Sequence, residues 1–214
     1  MELTKYTHSC VRITDGDRGL VIDPGMFSEV TAALDGIHAV LVTHEHPDHV
    51  DVDALLAAAE TDSDLQVWAP ASVAGMLSGL GDRVTTVVPG ETLTAGGLEV
   101  QVHGGQHAMI HRSIPVVMNV GYLVEGAVYH PGDSLDVPTV PVPTLLLLPI
   151  HAPWSKTAEV MDFLIGVRPQ QAYAIHDAML ADAGLGLIAA LLDRIATMYG
   201  TSYRRLTPGE SVGV

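Results

Sequence analysis

The sequence predicts one α/β domain with sheets inside and helices outside. Three observations point there. Short apolar runs of strand length recur from Val11 to Leu206, and segments of helical periodicity interrupt them. Hydrophobic residues make up 48% of the 214 positions, enough for a sizeable core. No charge block, repeat or low-complexity stretch divides the chain, and the linker marked by Pro138, Pro141 and Pro143 is too short to separate domains. Residues 1–214 therefore read as one unit.

Val11-Arg12-Ile13-Thr14 alternates, Asp15-Gly16-Asp17 turns, and 19–23 forms a second run ended by Pro24-Gly25. Residues 31–34 read as a short helical piece. The run 39–43 is apolar on both faces, as in a strand covered on both sides. Residues 52–60 predict a helix with Asp51 or Asp53 at its N-terminus. Then come a strand at 66–69, a helix at 71–78 closed by Gly79, and a strand at 84–88. Strands at 98–102 and 116–124 flank a loop holding His103, His107 and His111. Residues 127–130 return across Glu125-Gly126, and 144–148 form a buried strand. A helix at 157–165 stops before Pro169, and a strand follows at 171–175. An amphipathic helix at 185–198 and a last strand at 203–206 complete the chain.

The 25 acidic and 10 basic residues give a formal charge of −15. Such a surface repels phosphate backbones, so neither nucleic acid nor an anionic membrane is an expected partner. A small-molecule substrate is. No stretch approaches about 18 uncharged apolar residues, and the first residues lack a basic segment followed by an apolar one. Cys10, the single cysteine, has no internal partner for a disulfide. The cytoplasm is the expected location.

The densest chemistry is His44-Glu45-His46-Pro47-Asp48-His49, directly after the 39–43 run. Imidazole nitrogen and carboxylate oxygen are ligands of divalent transition metals. Pro47 disfavours helical geometry at His46, so the segment predicts a tight loop at a strand end, not a helical zinc-protease motif. The same placement repeats along the chain. Asp23, His103 and His107, His130 to Asp133, His151 and His176 all follow apolar runs. Strand ends of α/β sheets converge, and ligands gather there. Asp23 reads as a residue orienting the metal loop from behind, with His8 and His130 in supporting roles. Arg112 and Lys156 are the best-placed cations for an anionic substrate group, and Cys10 reads as packed and inert.

His44, His46, Asp48 and His49 form a His-x-His-x-Asp-His signature, followed in order by His107, the Gly132-Asp133 pair and His176. This pattern resembles the metallo-β-lactamase-fold hydrolases over nearly the whole chain. Thr7-His8-Ser9-Cys10, Ile22-Asp23-Pro24 and His130-Pro131-Gly132-Asp133-Ser134 are most similar to the branch containing ascorbate-6-phosphate lactonase. The resemblance implies a four-layer α/β/β/α sandwich with the site along one edge of the paired sheets. It puts His44, His46 and His107 on one divalent ion, Asp48, His49 and His176 on a second, and Asp133 as a bridge. The nitrogen and oxygen donors suit zinc first, with manganese or iron also accommodated. The implied activity is hydrolysis of a small-molecule lactone, ester or phosphoester by a metal-bound hydroxide, with Asp48 or His151 managing protons. Val50-Asp51 after the motif departs from the family's common glycine. Two other readings stand beside this one. The first is a mononuclear iron oxygenase of the persulfide-dioxygenase kind on the same fold. The second is a metal-binding protein without turnover, against which the complete ligand set speaks.

Overall fold

A computed structural model of the chain describes residues 1–139 and 141–214. Its first half contains β1 (Glu2–Lys5), β2 (Val11–Asp15), β3 (Arg18–Ile22), α1 (Val30–Ala33) and β4 (Ala39–Leu41). These are followed by α2 (Val52–Thr61), β5 (Gln66–Ala69), α3 (Ala71–Met76) and, after a 3₁₀ turn at Ser78–Arg83, β6 (Val84–Thr86). The second half runs β7 (Thr92–Ala95), β8 (Leu98–Gly104), β9 (Val120–Val124), β10 (Val128–His130) and β11 (Leu145–Pro149). It ends with α4 (Thr157–Val167), β12 (Gln171–Ile175), α5 (Asp182–Met198), β13 (Ser202–Arg204) and β14 (Ser211–Gly213).

The strands form two seven-stranded mixed sheets, ordered β14-β1-β2-β3-β4-β5-β6 and β13-β12-β11-β10-β9-β8-β7. Hairpin neighbours such as β2 and β3 pair antiparallel, whereas β3 to β6 and β10 to β13 run parallel. Parallel neighbours need long crossovers, and the helices supply most of them on the outer faces. Side-chain alternation then sorts each strand between two cores. In β11, Leu145 and Leu147 enter the core between the sheets, while Leu146 and Leu148 pack under α4 and α5. In β4, Ala39 and Leu41 face the other sheet and Val40 faces Leu55 and Ala59 of α2. An unbroken apolar run is thus two half-faces, each leucine worth roughly 2–3 kcal/mol of burial. The result is the four-layer α/β/β/α sandwich that the resemblance implied. Asp51 caps α2, accepting a hydrogen bond from Ala54 N at 3.0 Å, an interaction worth about 1 kcal/mol.

Several boundaries differ from the sequence reading. The chain ends pair with each other, β1 with β14 through Leu3 opposite Val212, which no local pattern announced. The strand read from 116 starts at Val120, because its pairing with β8 ends at Gly104 opposite Val120. Val116 and Met118 are left 44% and 41% exposed in a loop. The strand read at 84–88 ends at Thr86, the strand read at 203–206 lies at Ser202–Arg204 with β14 still to follow it, and α5 begins already at Asp182. No helix among the described residues is long and apolar enough to cross a membrane.

Candidate metal centre

The loops after β4, β8, β10 and β12 converge with the β1–β2 turn. There two sets of donors form, His44, His46, His107 and Asp133 in one and His8, Asp48, His49 and His176 in the other. Within each set every donor atom lies within 4.8 Å of the others. Asp133 stands between the sets. Its Oδ2 is 3.2 Å from both His107 Nε2 and His176 Nε2, and its Oδ1 is 3.1 Å from His49 Nε2. The structure therefore brings together all seven residues that the resemblance implied as ligands, and adds His8.

The ligand loop is shaped by its own backbone. His46 O accepts from His49 N at 2.9 Å and from Val50 N at 3.1 Å, closing a turn over Pro47. The Pro24–Met26 turn clamps it from outside, with Met26 N donating to Pro47 O at 2.8 Å and Asp51 N to Pro24 O at 3.0 Å. Asp23 is fully buried in a left-handed conformation, φ 51°. Its Oδ1 accepts from Thr43 N at 2.7 Å, and its Oδ2 accepts from Thr43 Oγ1 at 2.8 Å and His49 Nδ1 at 2.6 Å. Thr43 Oγ1 in turn accepts from His44 Nδ1 at 3.0 Å. His107 Nδ1 donates to Ala108 O at 2.5 Å and His176 Nδ1 to His151 O at 2.6 Å.

In four histidines, then, Nδ1 donates to a protein oxygen and Nε2 turns inward, the orientation that imidazoles take when an ion is to be held on Nε2. Asp133 is held likewise. Its N–H donates to Asn119 Oδ1 at 2.9 Å, and its Oδ2 accepts from Trp154 Nε1 at 2.9 Å. Thr43, Asn119 and Trp154 carried no sequence signal beyond lying near strand ends.

Burial, then neighbouring His49, pushes the His44 pKa well below the ordinary value, so this imidazole is neutral. Burial works against charge on His49 too, but Asp133 and Asp23 prevail and hold its proton well above the usual range. Burial likewise opposes the His176 proton, yet the Asp133 and Asp48 carboxylates beside Nε2 raise its pKa to about 9. For Asp133 burial favours the neutral acid, and His49 with its other imidazole neighbours overrides it, keeping the carboxylate anionic. Asp48 follows the same balance, with His176 and His8 overriding burial.

A divalent ion fits this environment. His49 Nε2, His176 Nε2 and Asp133 Oδ1 are buried without a hydrogen-bond partner in the protein. Each such atom costs about 1–3 kcal/mol, and here all three face one centre.

Beside the centre lies a cleft of about 430 Å³ lined by His107, Trp154, Met109, Val116, Asp136 and Glu159 among others. Its charged side chains are acidic. Neither cation singled out in the sequence enters it. The Lys156 side chain is 81% exposed with Nζ 3.3 Å from Glu159 Oε1, and Arg112 lies on an exposed loop. A larger groove of about 540 Å³ between α1 and α2 contains no member of either donor set, so the smaller one is the chemically relevant space. His151 contributes its carbonyl to His176, and its ring belongs to neither donor set. His103 is within β8 facing Tyr129, His111 bonds Ser113, and His130 is buried with Nε2 donating to Ser9 O at 2.9 Å. Cys10 is fully buried, and burial raises its thiol to about 12.

A family model described as a β-lactamase superfamily domain matches residues 2–176. Protein Rv0786c of Mycobacterium tuberculosis is 37% identical over 202 residues, covering 92% of this chain and 93% of its own. A protein of Rhizobium etli named UPF0173 metal-dependent hydrolase is 31% identical over 116 residues, 50% of this chain and 48% of its own. Among solved structures, Igni18, described as a novel metallo hydrolase from Ignicoccus hospitalis, superposes with a TM-score of 0.75 at 20% identity, covering 99% of this chain and 97% of that one. CmlA, a diiron β-hydroxylase from Streptomyces venezuelae, superposes with a TM-score of 0.78 at 18% identity, covering 100% of this chain and 54% of that one. These two likenesses concern the fold. Together with the family match over residues 2–176 they show that the chain belongs to the metallo-β-lactamase superfamily.

Proposed function

We propose that the protein is a metal-dependent hydrolase of a small, uncharged lactone or ester. The observation that carries this reading is the pair of donor sets meeting at Asp133 beside a cleft whose charged groups are acidic. His44, His46, His107 and Asp133 would hold one divalent ion, and Asp48, His49 and His176 the other, with zinc, manganese or iron suited to such donors. A bound pair supplies Lewis-acid polarisation of a carbonyl oxygen and lowers the pKa of water. The chain's own groups do the rest. Trp154 Nε1 fixes Asp133 Oδ2 while the neighbouring imidazoles keep that carboxylate anionic. Asp48, whose side chain is 21% exposed where Asp133 is almost fully buried, would take up the proton of the attacking water. His151 acts through the carbonyl that orients His176.

The names of the Rhizobium etli protein and of Igni18 support hydrolysis. A phosphorylated substrate, as in the lactonase branch, needs cations that the cleft does not present. Asp136 and Glu159 repel it, and Lys156 is engaged by Glu159. The diiron hydroxylase fold likeness favours oxygen chemistry as the second reading.

The test is metal content per chain in wild type, His107→Ala and Asp133→Ala, followed by hydrolysis of ester pairs matched in size but differing in charge. Two zinc or manganese ions falling in both variants, with the neutral ester cleaved at least about 10-fold better than its anionic twin, supports the proposal. Asp136→Lys should narrow that ratio. A single iron with sulfur- or carbon-oxidising activity moves the assignment to the oxygenase, and a preference for the anionic ester removes the substrate class.

A further inference from the structure

We propose that His8 is a positioning residue of the second metal site and not one of its ligands: its Nε2–H holds Asp48 Oδ2, and its Nδ1 locks that arrangement to the backbone beyond His176. This rests on the two-ion reading above. By distance alone His8 belongs with Asp48, His49 and His176 as a fourth donor. Hydrogen-bond polarity separates it from them.

In His44, His49, His107 and His176 the Nδ1 atom donates, to Thr43 Oγ1, Asp23 Oδ2, Ala108 O and His151 O respectively. Their Nε2 atoms are therefore the ones turned to an ion, and each offers its lone pair when an ion takes the place of a proton. In His8 the polarity is reversed. Its Nδ1 accepts from Ala178 N at 3.3 Å, so the neutral ring carries its proton on Nε2, which lies 3.2 Å from Asp48 Oδ2. A protonated Nε2 has no lone pair for an ion, but it is a good donor to a carboxylate. Asp48 Oδ2 retains a second lone pair, and it is this oxygen that lies nearest the imidazoles of its set, 3.4 Å from His176 Nε2 and 3.9 Å from His49 Nε2. His8 thus fixes the rotation of the Asp48 carboxylate.

His8 is itself held at three points. Besides its two ring contacts, its carbonyl accepts from His176 N at 3.2 Å. These contacts maintain a left-handed backbone, φ 66°, at a fully buried non-glycine residue. Such a conformation costs about 1–2 kcal/mol and persists only where surrounding contacts impose it. The β1–β2 turn is thereby coupled to the loop that carries His176.

The experiment uses the full chain loaded with zinc, as wild type, His8→Gln and His8→Ala. Three quantities are read: zinc per chain, the dissociation constant of each ion by chelator competition, and the visible spectrum after cobalt replacement. A histidine-selective ¹⁵N–¹H spectrum of zinc-loaded wild type reports the tautomers.

We expect His8 protonated on Nε2 and His44, His49, His107 and His176 on Nδ1. Both variants should retain two ions with an unchanged cobalt coordination number. His8→Ala should weaken the second ion by about 10–100-fold, while His8→Gln, whose amide can still donate to Asp48, stays within several-fold of wild type. Loss of one nitrogen donor from the cobalt spectrum in both variants would make His8 a ligand and overturn the proposal. So would second-site affinities equal to wild type in both. A single ion in wild type overturns the two-ion reading itself, and with it the second site that His8 is said to position.

Discussion

Gly25→Ala tests how tightly the proposed second metal site depends on backbone contact. An added methyl at this position meets Asp48 O at 1.9 Å, the Asp48 carbonyl carbon at 2.1 Å and His49 N at 2.6 Å. Ordinary contact begins at 3.4 Å, so the turn and the ligand loop must part by roughly 1.5 Å. The hydrogen bonds from Met26 N to Pro47 O and from Asp51 N to Pro24 O flank the clash. Opening the gap breaks at least one of them, at about 1 kcal/mol each.

Metal sites tolerate about 0.2 Å in ligand distance, so Asp48 and His49 leave the second ion before the sandwich unfolds. Zinc per chain should fall from about two to about one. The melting temperature should drop by roughly 4–8 °C for a total cost near 2 kcal/mol. Gly16→Ala is the matched control. Gly16 has φ +60° with nothing within 4 Å of an added methyl, so it carries the left-handed cost of about 1–2 kcal/mol without touching the loop. Its zinc content should equal wild type. Elemental analysis after dialysis, beside circular dichroism, reads both variants. A folded Gly25→Ala protein with two zinc ions at wild-type affinity refutes the argument, as does equal zinc loss in the control.

Three further outcomes follow from the same centre. Asp23→Asn removes the carboxylate that accepts from His49 Nδ1, Thr43 N and Thr43 Oγ1. Zinc affinity should weaken about 10–100-fold, read by chelator competition, and an unchanged affinity would show that Asp23 does not orient the loop. Trp154→Phe deletes the indole donor to Asp133 Oδ2. Two ions should remain while kcat on the best ester falls about 10-fold, consistent with loss of a hydrogen bond to a charged group, and wild-type turnover would exclude a role for that bond. The third concerns pH. His176 has its pKa raised from the ordinary 6.5 to about 9 in the folded chain. Its contribution to stability is therefore complete below pH 6.5 and is lost as pH rises through 9. Metal-stripped protein should lose on the order of 3 kcal/mol across that interval. Zinc-loaded protein should not, because an ion on Nε2 replaces the proton, and zinc affinity should rise over the same window. Melting curves from pH 6 to 10 with and without chelator decide it, and a flat profile for the stripped protein counts against the raised pKa.

What could be read in the sequence was whatever is local or rank-ordered. The ligand loop announces itself because three histidines, an aspartate and a proline occupy six adjacent positions, and covalent connection alone forces them together. His107, Asp133 and His176 each follow an apolar run, as His103, His130 and His151 do, and it is the resemblance to the metallo-β-lactamase pattern that singles the three out as ligands. The polar frame behind them depends on closure between distant segments. Asn119 reaches Asp133 only once β9 and β10 pair, and Ala178 N meets His8 across 170 residues of chain. The direction of a hydrogen bond to an imidazole has no trace in the residue code. His8 therefore looks the same in the sequence as the histidines whose protons point the other way.

The apolar residues around 116 misled for a related reason. Val116 satisfies a strand pattern, but Gly104 and Gly105 at positive φ turn the chain out of strand geometry, so past Val120 the ladder gives way to isolated bonds such as His107 N to Val117 O, and the Val116 side chain lines the cleft. A hydrophobic residue outside the ladder, beside the candidate metal centre and 44% exposed, offers contact to an uncharged group and no partner to a phosphate, in keeping with the proposed substrate class.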